Sequence, residues 1–260
     1  MCTVSVVIPA YNAQSTIVRA IASVLNQDIG DRDLEIIIVD DGSRDTTASL
    51  IESRASLSGG QITLIRQKNA GPAAARNAGV ASAHGQYIAF LDADDQWLPG
   101  KLRAQAELLD RNPEVALVCT PMNGRKFRTR SSVLEISFGS LLLSNRVYTS
   151  SVMVRKSAFL SAGAFNPARK LSEDYEVWLK IAAKNSIQAI NKPYLLYSKN
   201  TGISSKLWRM ERGELETYHI LYRDGLLSLP LHGLLRYWSL AKFFIRYAYR
   251  STQIKWSRIW

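Results

Sequence analysis

The first 120 residues alternate between short apolar runs and segments with helical periodicity, and this alternation constrains the fold most strongly. The apolar runs are Val4–Ile8, Leu34–Val39, Ile62–Ile65, Tyr87–Leu91 and Val115–Cys119. Runs that are apolar at most positions are typical of strands buried on both faces of a parallel sheet. The segments between them, near residues 15–27, 46–58, 70–85 and 99–111, are predicted helices. We therefore predict an α/β fold in which helices flank a mostly parallel central sheet.

The composition is that of a globular protein large enough to bury a substantial core. The chain has 260 residues, of which 47% are hydrophobic and 21% are charged. Its first residues lack the regions of a signal peptide, and no run of about 18 apolar residues could cross a membrane. The two cysteines, Cys2 and Cys119, are not spaced as metal ligands, which favours a reducing compartment. We therefore expect a cytoplasmic protein.

The regular alternation ends at Thr120, and residues 121–150 show no clear periodicity. Beyond them the sequence predicts a strand at 151–154, a helix at 157–162, a helix at about 172–184 and a strand at 193–197. Residues 198–206 are predicted to form a loop, and the remaining residues are predicted to be helical.

Three groups of acidic residues lie where an apolar strand ends or a helix begins. They are Asp40–Asp41, the cluster of Asp92, Asp94 and Asp95, and Glu173–Asp174. The first group could be only a turn, and the third only a favourable charge at a helix N-terminus. In the second group, carboxylates follow directly after an apolar strand, and this pattern favours a site for Mg²⁺ or Mn²⁺. In a parallel sheet the first two groups would share the edge where ligands bind.

Six sequence blocks, taken in order, resemble those of the family 2 glycosyltransferases. They are VSVVIPAYN, IIVDDGSRDTT, RQKNAGPAAARNAG, YIAFLDADDQW, TSSVMVRKSAF and SEDYEVWLKIA. The resemblance covers residues 3 to about 205 and leaves the C-terminal 55 residues outside it. It implies a GT-A fold and an inverting transfer of a sugar from a nucleotide-sugar, typically a UDP-sugar, to an acceptor hydroxyl.

The same resemblance implies how the chain is divided. Residues 1–120 would form a Rossmann-like nucleotide-sugar-binding half, residues 121–205 the acceptor-binding half of the same domain, and residues 206–260 a helical C-terminal extension. The Q-x-x-R-W motif of processive synthases is absent, which favours the addition of one sugar per binding event. The family suggests a role in bacterial surface polysaccharide synthesis, with a lipid-linked or growing glycan as the acceptor.

The resemblance also implies roles for residues of the nucleotide-binding half. Pro9 and Tyr11 would line the nucleobase pocket, and Asp41 would accept a hydrogen bond from the base. Arg76 would face the donor phosphates.

Two further implied roles concern the metal and the chemistry. Asp92-Ala93-Asp94 resembles the DXD motif, so Asp94 would bind Mn²⁺ or Mg²⁺ and Asp92 would contact the ribose or the metal. Asp174 would be the catalytic base. These residue types suit the reaction, because a cation neutralises the leaving diphosphate and a carboxylate can take the proton of the acceptor hydroxyl.

One position departs from the family pattern. Members often carry a His after the late strand, near the metal and the diphosphate, whereas the corresponding segment here is YSKNTGISS. Lys199 or Asn200 would take its place, and a lysine could contact phosphate as a point charge. The three histidines, His84, His219 and His232, lie elsewhere in the sequence.

The C-terminal extension is basic and aromatic. Residues 225–260 contain six Lys and Arg residues and no Asp or Glu, and Lys242, Arg246 and Arg250 share one helical face. Each such cation would favour an anionic lipid surface by about 1 kcal/mol. We expect peripheral association with the inner face of the cell membrane; the alternative is a helix packed on the catalytic domain or in a dimer.

Two other classes of protein share some of these features. A nucleic-acid-binding protein would use the net charge of +11 and the sequence NGRKFRTR at 123–130, but it would leave the acidic groups unexplained. We therefore expect no nucleic-acid partner. A nucleotidyltransferase would need a loop rich in Gly and Lys or Arg after the first strand, and a dinucleotide dehydrogenase would need G-x-G-x-x-G there. The loop here is PAYNAQ.

Overall fold

The computed structural model describes residues 3–169, 171–198 and 207–256. Its strands are β1 (Thr3–Ala10), β2 (Asp33–Asp40), β3 (Ile62–Arg66), β4 (Tyr87–Phe90), β5 (Gln96–Trp97), β6 (Val115–Cys119), β7 (Val133–Glu135), β8 (Met153–Arg155), β9 (Ser186–Ile190) and β10 (Leu195–Leu196). Its helices are α1 (Ile17–Leu25), α2 (Thr47–Leu57), α3 (Pro72–Ser82), α4 (Lys101–Arg111), α5 (Phe138–Leu143), α6 (Lys156–Ser161), α7 (Glu173–Ala182), α8 (Leu207–Arg223) and α9 (Leu229–Trp256). A 3₁₀ turn at Thr149–Ser151 precedes β8.

The main sheet has eight strands in the order β3-β2-β1-β4-β8-β6-β9-β7. β1 runs parallel to β2 and β4, β2 runs parallel to β3, and β6 runs parallel to β9. β8 runs antiparallel to both of its neighbours, as β7 does to β9. β5 and β10 form a separate antiparallel pair. The predicted class, a mostly parallel sheet flanked by helices, is confirmed.

The central strands supply the core on both faces of the sheet. Val7 belongs to one hydrophobic cluster and its neighbour Val6 to the other, because successive side chains of a strand point to opposite faces. Helix α1 covers the second face with apolar residues at helical spacing, including the fully buried Ile17 and Ile21. The apolar runs of the sequence therefore become the strands with a helix layer on either side.

The position of β6 differs from the prediction. Residues 115–119 were predicted as the fifth strand of a parallel series, but β8 lies between β4 and β6 and pairs antiparallel with both. Because β8 comes from the second half of the chain, it brings the turn Thr149–Ser151 beside the end of β4. Sequence periodicity is a local property, so it could not place a strand from a distant segment between two others.

Four short elements, β5, β7, α5 and β9, were not predicted. β9 has the sequence SIQAI, whose buried and half-buried residues alternate, so it lacks the continuous apolar run of the central strands. The late strand predicted at 193–197 shortens to Leu195–Leu196. The helices predicted at 15–27, 46–58 and 99–111 begin and end within two residues of α1, α2 and α4.

A buried ion pair attaches α8 to α7. Arg169 donates hydrogen bonds to Glu176 Oε2 at 2.8 Å, to Thr217 Oγ1 at 3.0 Å and to the Gly213 carbonyl oxygen at 2.9 Å. Helix α9 then packs along α8. None of the helices in the described part of the chain combines the length and the apolar character that a bilayer span requires.

Candidate active site

A cleft of about 710 Å³ opens at the carboxyl ends of β1, β2 and β4. These three strands are neighbours and run parallel, so the loops that follow them meet at one edge of the sheet. Open α/β sheets bind their ligands at this edge. The fold therefore places the residues that follow each strand around a single cavity.

Six of the seven residues predicted from the sequence line this cleft: Pro9, Tyr11, Asp41, Arg76, Asp92 and Asp94. Asp174 lies in the first turn of α7, next to Glu173, which contacts Arg76. The structure brings the predicted residues together, while the role of each one remains a prediction.

Hydrogen bonds between two loops hold the aromatic side of the cleft. The Asn12 backbone N donates to Ser43 Oγ at 3.0 Å, and the Arg44 backbone N donates to Asn12 Oδ1 at 2.9 Å. Asn12 has φ 48°, a left-handed conformation that asparagine tolerates better than most residues. The adjacent Tyr11 is 47% exposed, so its ring is available to stack on a planar ligand.

Asp41 is buried at the cleft and accepts hydrogen bonds from the segment that leads into α3. Its Oδ1 accepts from Gln67 Nε2 at 2.7 Å and from the Ala70 backbone N at 2.9 Å. Its Oδ2 accepts from the Gly71 backbone N at 2.8 Å. An ionised carboxylate has about four acceptor positions, so one remains for the base that Asp41 is predicted to bind. Asp41 therefore also fixes the start of the helix that carries Arg76.

Backbone hydrogen bonds form the acidic turn that follows β4. The Asp95 backbone N donates to the Asp92 carbonyl oxygen at 3.0 Å, and the Asp92 backbone N donates to Ser150 Oγ at 3.1 Å. Asp95 is 1% exposed, and its Oδ1 accepts from the Ser198 backbone N at 2.8 Å. Asp92 and Asp94 line the cleft, so the three acids lie in different environments.

Asp95, the buried acid of this turn, has a raised pKa. Burial and the neighbouring charge of Asp92 raise the pKa of Asp95 to about 7, although hydrogen bonds from Ser150 and Ser198 oppose the shift. Its Oδ2 is buried and makes no hydrogen bond to the described residues. A carboxyl group that holds its proton up to near-neutral pH reduces the repulsion within the cluster, which helps the fold to tolerate three acids after one strand.

Arg76 connects the acidic turn to the N-terminus of α7. Its side chain is 7% exposed and donates to Asp92 Oδ1 at 2.6 Å and to Glu173 Oε1 at 3.2 Å. Burial by itself would lower the pKa of Arg76, but the charges of Asp92 and Glu173 outweigh it and raise the pKa further. The guanidinium is therefore a cation fixed at the wall of the cleft, where it offsets the charges of two carboxylates.

Asp174 is oriented by a hydroxyl from the second half of the chain. Thr149 Oγ1 donates to Asp174 Oδ2 at 2.8 Å, and the Tyr175 backbone N donates to Asp174 Oδ1 at 2.7 Å. Burial and the charge of Asp174 raise the pKa of Glu173, while Arg76 opposes that shift. A carboxylate held in one orientation is suited to accept a proton from a bound hydroxyl.

The acidic turn fits a hard divalent cation in its donor chemistry. Mg²⁺ commonly binds to one or two carboxylates together with substrate phosphates, and carboxylate oxygens also suit Mn²⁺. Asp92 and Asp94 provide such oxygens at the cleft. Among the residues that the structure describes, no three or more His, Cys, Asp and Glu side chains form a metal cage. A cation here would therefore depend on ligand phosphates to complete its coordination.

Several residues at the site were not predicted from the sequence. Arg19 and Tyr197 line the cleft, and Thr149 and Ser150 contact the predicted acids. Thr149 and Ser150 lie in one of the six resembling blocks, TSSVMVRKSAF, and this was the available signal for them. Arg19 carries no comparable signal. The suggested replacements for the missing histidine, at positions 199 and 200, lie outside the described residues.

Sequence comparison identifies related proteins. The model of the family described as "Glycosyl transferase family 2" matches residues 5–166. The UDP-Glc:alpha-D-GlcNAc-diphosphoundecaprenol beta-1,3-glucosyltransferase WfgD of Escherichia coli is 31% identical over 196 residues, which cover 72% of this chain and 73% of WfgD. Chondroitin synthase of Escherichia coli is 30% identical over 209 residues, which cover 77% of this chain and 30% of the synthase.

An uncharacterised glycosyltransferase of Rickettsia conorii is 33% identical over 198 residues, which cover 73% of this chain and 32% of that protein. The chain thus spans about a third of the length of several curated relatives that it matches.

Structure comparison finds the same architecture in solved proteins. S. aureus TarS 1-349 superposes with a TM-score of 0.71 at 20% identity, covering 92% of this chain and 71% of that one. The mannosyltransferase PcManGT from Pyrobaculum calidifontis, in complex with GDP-Man and Mn²⁺, superposes with a TM-score of 0.70 at 20% identity, covering 96% of this chain and 75% of that one. The fold is the GT-A fold that the resemblance implied.

Proposed function

Because this chain belongs to glycosyl transferase family 2 and is a glycosyltransferase, we propose that it moves a sugar from a nucleotide-sugar to an acceptor hydroxyl with inversion at the anomeric carbon. The observation that carries the proposal is the single cleft in which an exposed tyrosine, a buried arginine and two carboxylates lie together. The names of WfgD and of the TarS complex with UDP-GlcNAc make a UDP-sugar our first choice of donor.

The donor would lie across the cleft from its aromatic side to its acidic turn. Tyr11 and Pro9 would contact the base, and the remaining acceptor position of Asp41 would take a hydrogen bond from a base N–H group. Arg76 would place positive charge near the diphosphate. A divalent cation held by Asp94 and Asp92 would supply further positive charge to the leaving diphosphate.

The base of the reaction would be Asp174. An inverting displacement is in-line, so the group that takes the acceptor's proton must lie on the side of the sugar opposite the diphosphate. Asp174 comes from α7, outside the lining of the cleft, and Thr149 holds its carboxylate in one orientation. General-base catalysis of this kind contributes about 10²–10⁴-fold to the rate.

The acceptor would be a lipid-linked or growing glycan of a surface polysaccharide. WfgD is named for transfer to a sugar-diphosphoundecaprenol, and another relative is named a chondroitin synthase. By extension, residues 1–120 would bind the donor and residues 121–205 the acceptor, and the enzyme would work at a membrane surface.

Nucleotide binding tests the donor site. We expect one of UDP, GDP, CDP and TDP to raise the melting temperature in the presence of Mn²⁺, with a stabilisation of about 2.7 kcal/mol at a ligand concentration of 100 Kd. Asp94→Ala should weaken this Mn²⁺-dependent binding at least about tenfold, which corresponds to about 1.4 kcal/mol. The exposed Asp31→Ala is the matched control and should bind like the wild type. Absence of binding by all four nucleotides would overturn the donor site.

Transfer assays test the base. Asp174→Asn should lower kcat by about 10²–10⁴-fold while nucleotide affinity stays unchanged. Thr149→Val should lower kcat less, because it removes the orienting hydroxyl and keeps the carboxylate. Wild-type turnover in Asp174→Asn would exclude Asp174 as the base without affecting the donor site.

A further inference from the structure

Helix α9 presents an apolar, uncharged face to solvent, here called the outer face. Its large side chains are between 36% and 74% exposed: Leu229, Leu231, Leu234, Tyr237, Trp238, Leu240, Phe244, Ile245 and Tyr247. At about 100° per residue, these positions span roughly 200° of the helix circumference. No charged residue of the segment 229–248 falls within this arc. An exposed apolar surface of this extent marks an interaction site.

The cations of α9 lie outside the arc of the outer face, and Lys242 contacts the rest of the protein. Lys242 is 13% exposed and donates to Glu214 of α8 and to the Leu143 carbonyl oxygen. Burial raises the pKa of Glu211 on α8, and the nearby charges of Lys242 and Arg246 oppose that shift. The sequence analysis predicted that Lys242 and Arg246, together with Arg250, form a basic stripe that faces lipid. Lys242 instead pairs with an acid of the protein, and the side chain of residue 250 lies outside the described part.

Helix α8 also carries cations that are exposed to solvent. The exposed side chains of α8 include Arg209, Arg212 and Arg223. A groove of about 370 Å³ between the two helices is lined by Arg212 and His219 of α8 and by Arg236 of α9, together with Leu215 and Glu216. Arg236 lies just beside the apolar arc on the helix circumference, so the groove is continuous with the outer face. The amphipathic unit is therefore the pair of helices and not α9 alone.

We propose that the α8–α9 pair docks on a lipid bilayer, with the outer face of α9 at the acyl chain boundary and the groove cations at the headgroup phosphates. Burial of apolar area would drive this binding, and anionic lipid would only strengthen it. The proposal deepens the proposed function by stating how the enzyme would reach a lipid-linked acceptor. Lipid binding needs no donor, so it is measured independently of transfer.

Three observations favour a bilayer over a second copy of the chain as the occupant of the outer face. Tyr237, Trp238 and Tyr247 have the amphipathic rings that are enriched at membrane interfaces. The charges that border the face include Arg236 and Arg212, which complement lipid phosphates but would lie close to their own copies in a two-fold contact. The face also extends for about 30 Å along the helix, as expected of a segment lying in the interface plane.

Vesicle flotation of the full chain tests the proposal. We expect the protein to float with neutral phosphatidylcholine vesicles and to remain bound at roughly 1 M salt, where electrostatic attraction is screened. Phosphatidylglycerol should raise the bound fraction at low salt only. The double variant Phe244→Glu/Ile245→Glu should reduce partitioning into both kinds of vesicle at least about tenfold. Leu57→Glu, at a leucine of α2 that is 79% exposed, is the control and should float like the wild type.

A second variant separates the two contributions. Arg236→Gln should leave binding to neutral vesicles unchanged and remove part of the increase that phosphatidylglycerol produces. Binding to anionic vesicles alone, lost at high salt, would overturn the proposal in favour of charge-driven attachment. Absence of flotation would overturn it as well, and light scattering that shows a dimer disrupted by Phe244→Glu/Ile245→Glu would identify a second copy as the occupant. Nucleotide binding, measured on the same samples, shows whether the donor site is intact in each case.

Discussion

Helix α1 buries its apolar residues in the core, whereas helix α9 exposes most of its large apolar side chains to solvent. In α1, Ile17 and Ile21 are fully buried against the sheet, whereas the buried positions of α9 include the polar His232 and Ser239 beside Leu235. One difference lies in the neighbouring element, because α8 offers α9 two carboxylates: Glu211 accepts a hydrogen bond from Ser239, and Glu214 accepts one from Lys242. Periodicity shows that a helix has two faces, but the groups on its neighbour decide which face is buried.

The largest effect is expected when one apolar side chain is truncated on each of these two helices. Ile21→Ala should lower the free energy of unfolding by about 2–5 kcal/mol, because it leaves a cavity in the core. Leu234→Ala on the outer face should change it by no more than about 0.5 kcal/mol in the absence of lipid. Urea denaturation of both variants measures the effects. A large loss in Leu234→Ala would mean that the outer face is buried in the isolated protein.

A second test makes the same substitution in two helices. A Cβ atom at Gly79 of α3 would lie 2.4 Å from Val7 Cγ1, whereas one at Gly233 of α9 would meet nothing within 4 Å. Gly79→Ala should therefore cost about 1–3 kcal/mol of stability through overpacking. Gly233→Ala should gain about 0.5–1 kcal/mol, because alanine favours the helix. Equal effects in thermal denaturation would contradict the close approach of α3 to β1.

The third test compares two lysines, Lys101 and Lys242, by the stability of their variants at different pH values. Lys101 is fully buried, its Nζ donates to Gln105 Oε1 at 2.8 Å, and burial lowers its pKa well below the usual 10.5. The folded state therefore binds fewer protons than the unfolded state, and the wild type gains stability as pH rises toward 10.5. Lys101→Met should be more stable than the wild type at pH 7, and this advantage should shrink by about 1.4 kcal/mol per pH unit above the pKa of the folded state.

Lys242→Met is the contrasting variant, because Lys242 has an acidic partner in Glu214. It should be less stable than the wild type at pH 7 by about 1–3 kcal/mol, since a charged hydrogen bond is lost and Glu214 is left without its basic partner. Urea denaturation between pH 7 and pH 9 measures both variants. A pH-independent difference between Lys101→Met and the wild type would show that Lys101 is charged in the fold.

Much of the candidate site followed from the sequence because the sheet is parallel. Pro9, Asp41 and Asp92 lie at or just after the ends of β1, β2 and β4, and adjacent parallel strands must end at the same edge. The contacts of Arg76 with Asp92 and Glu173 did not follow. Glu173 lies 97 residues away in the chain, and no local pattern states which carboxylate an arginine will meet.

By itself, the amino-acid sequence determined the fold class, the family and six of the residues that line the cleft, because mostly apolar strands and polar motifs at their ends are local features. The tertiary structure alone decided that β8 inserts beside β4, that Thr149 contacts Asp174, and that Lys242 pairs with Glu214 so that α9 turns its apolar face to solvent. Each of these outcomes depends on which polar groups from distant segments meet in the fold. A buried charge or hydroxyl needs a hydrogen-bond partner, whereas an apolar face can pack against many different apolar surfaces.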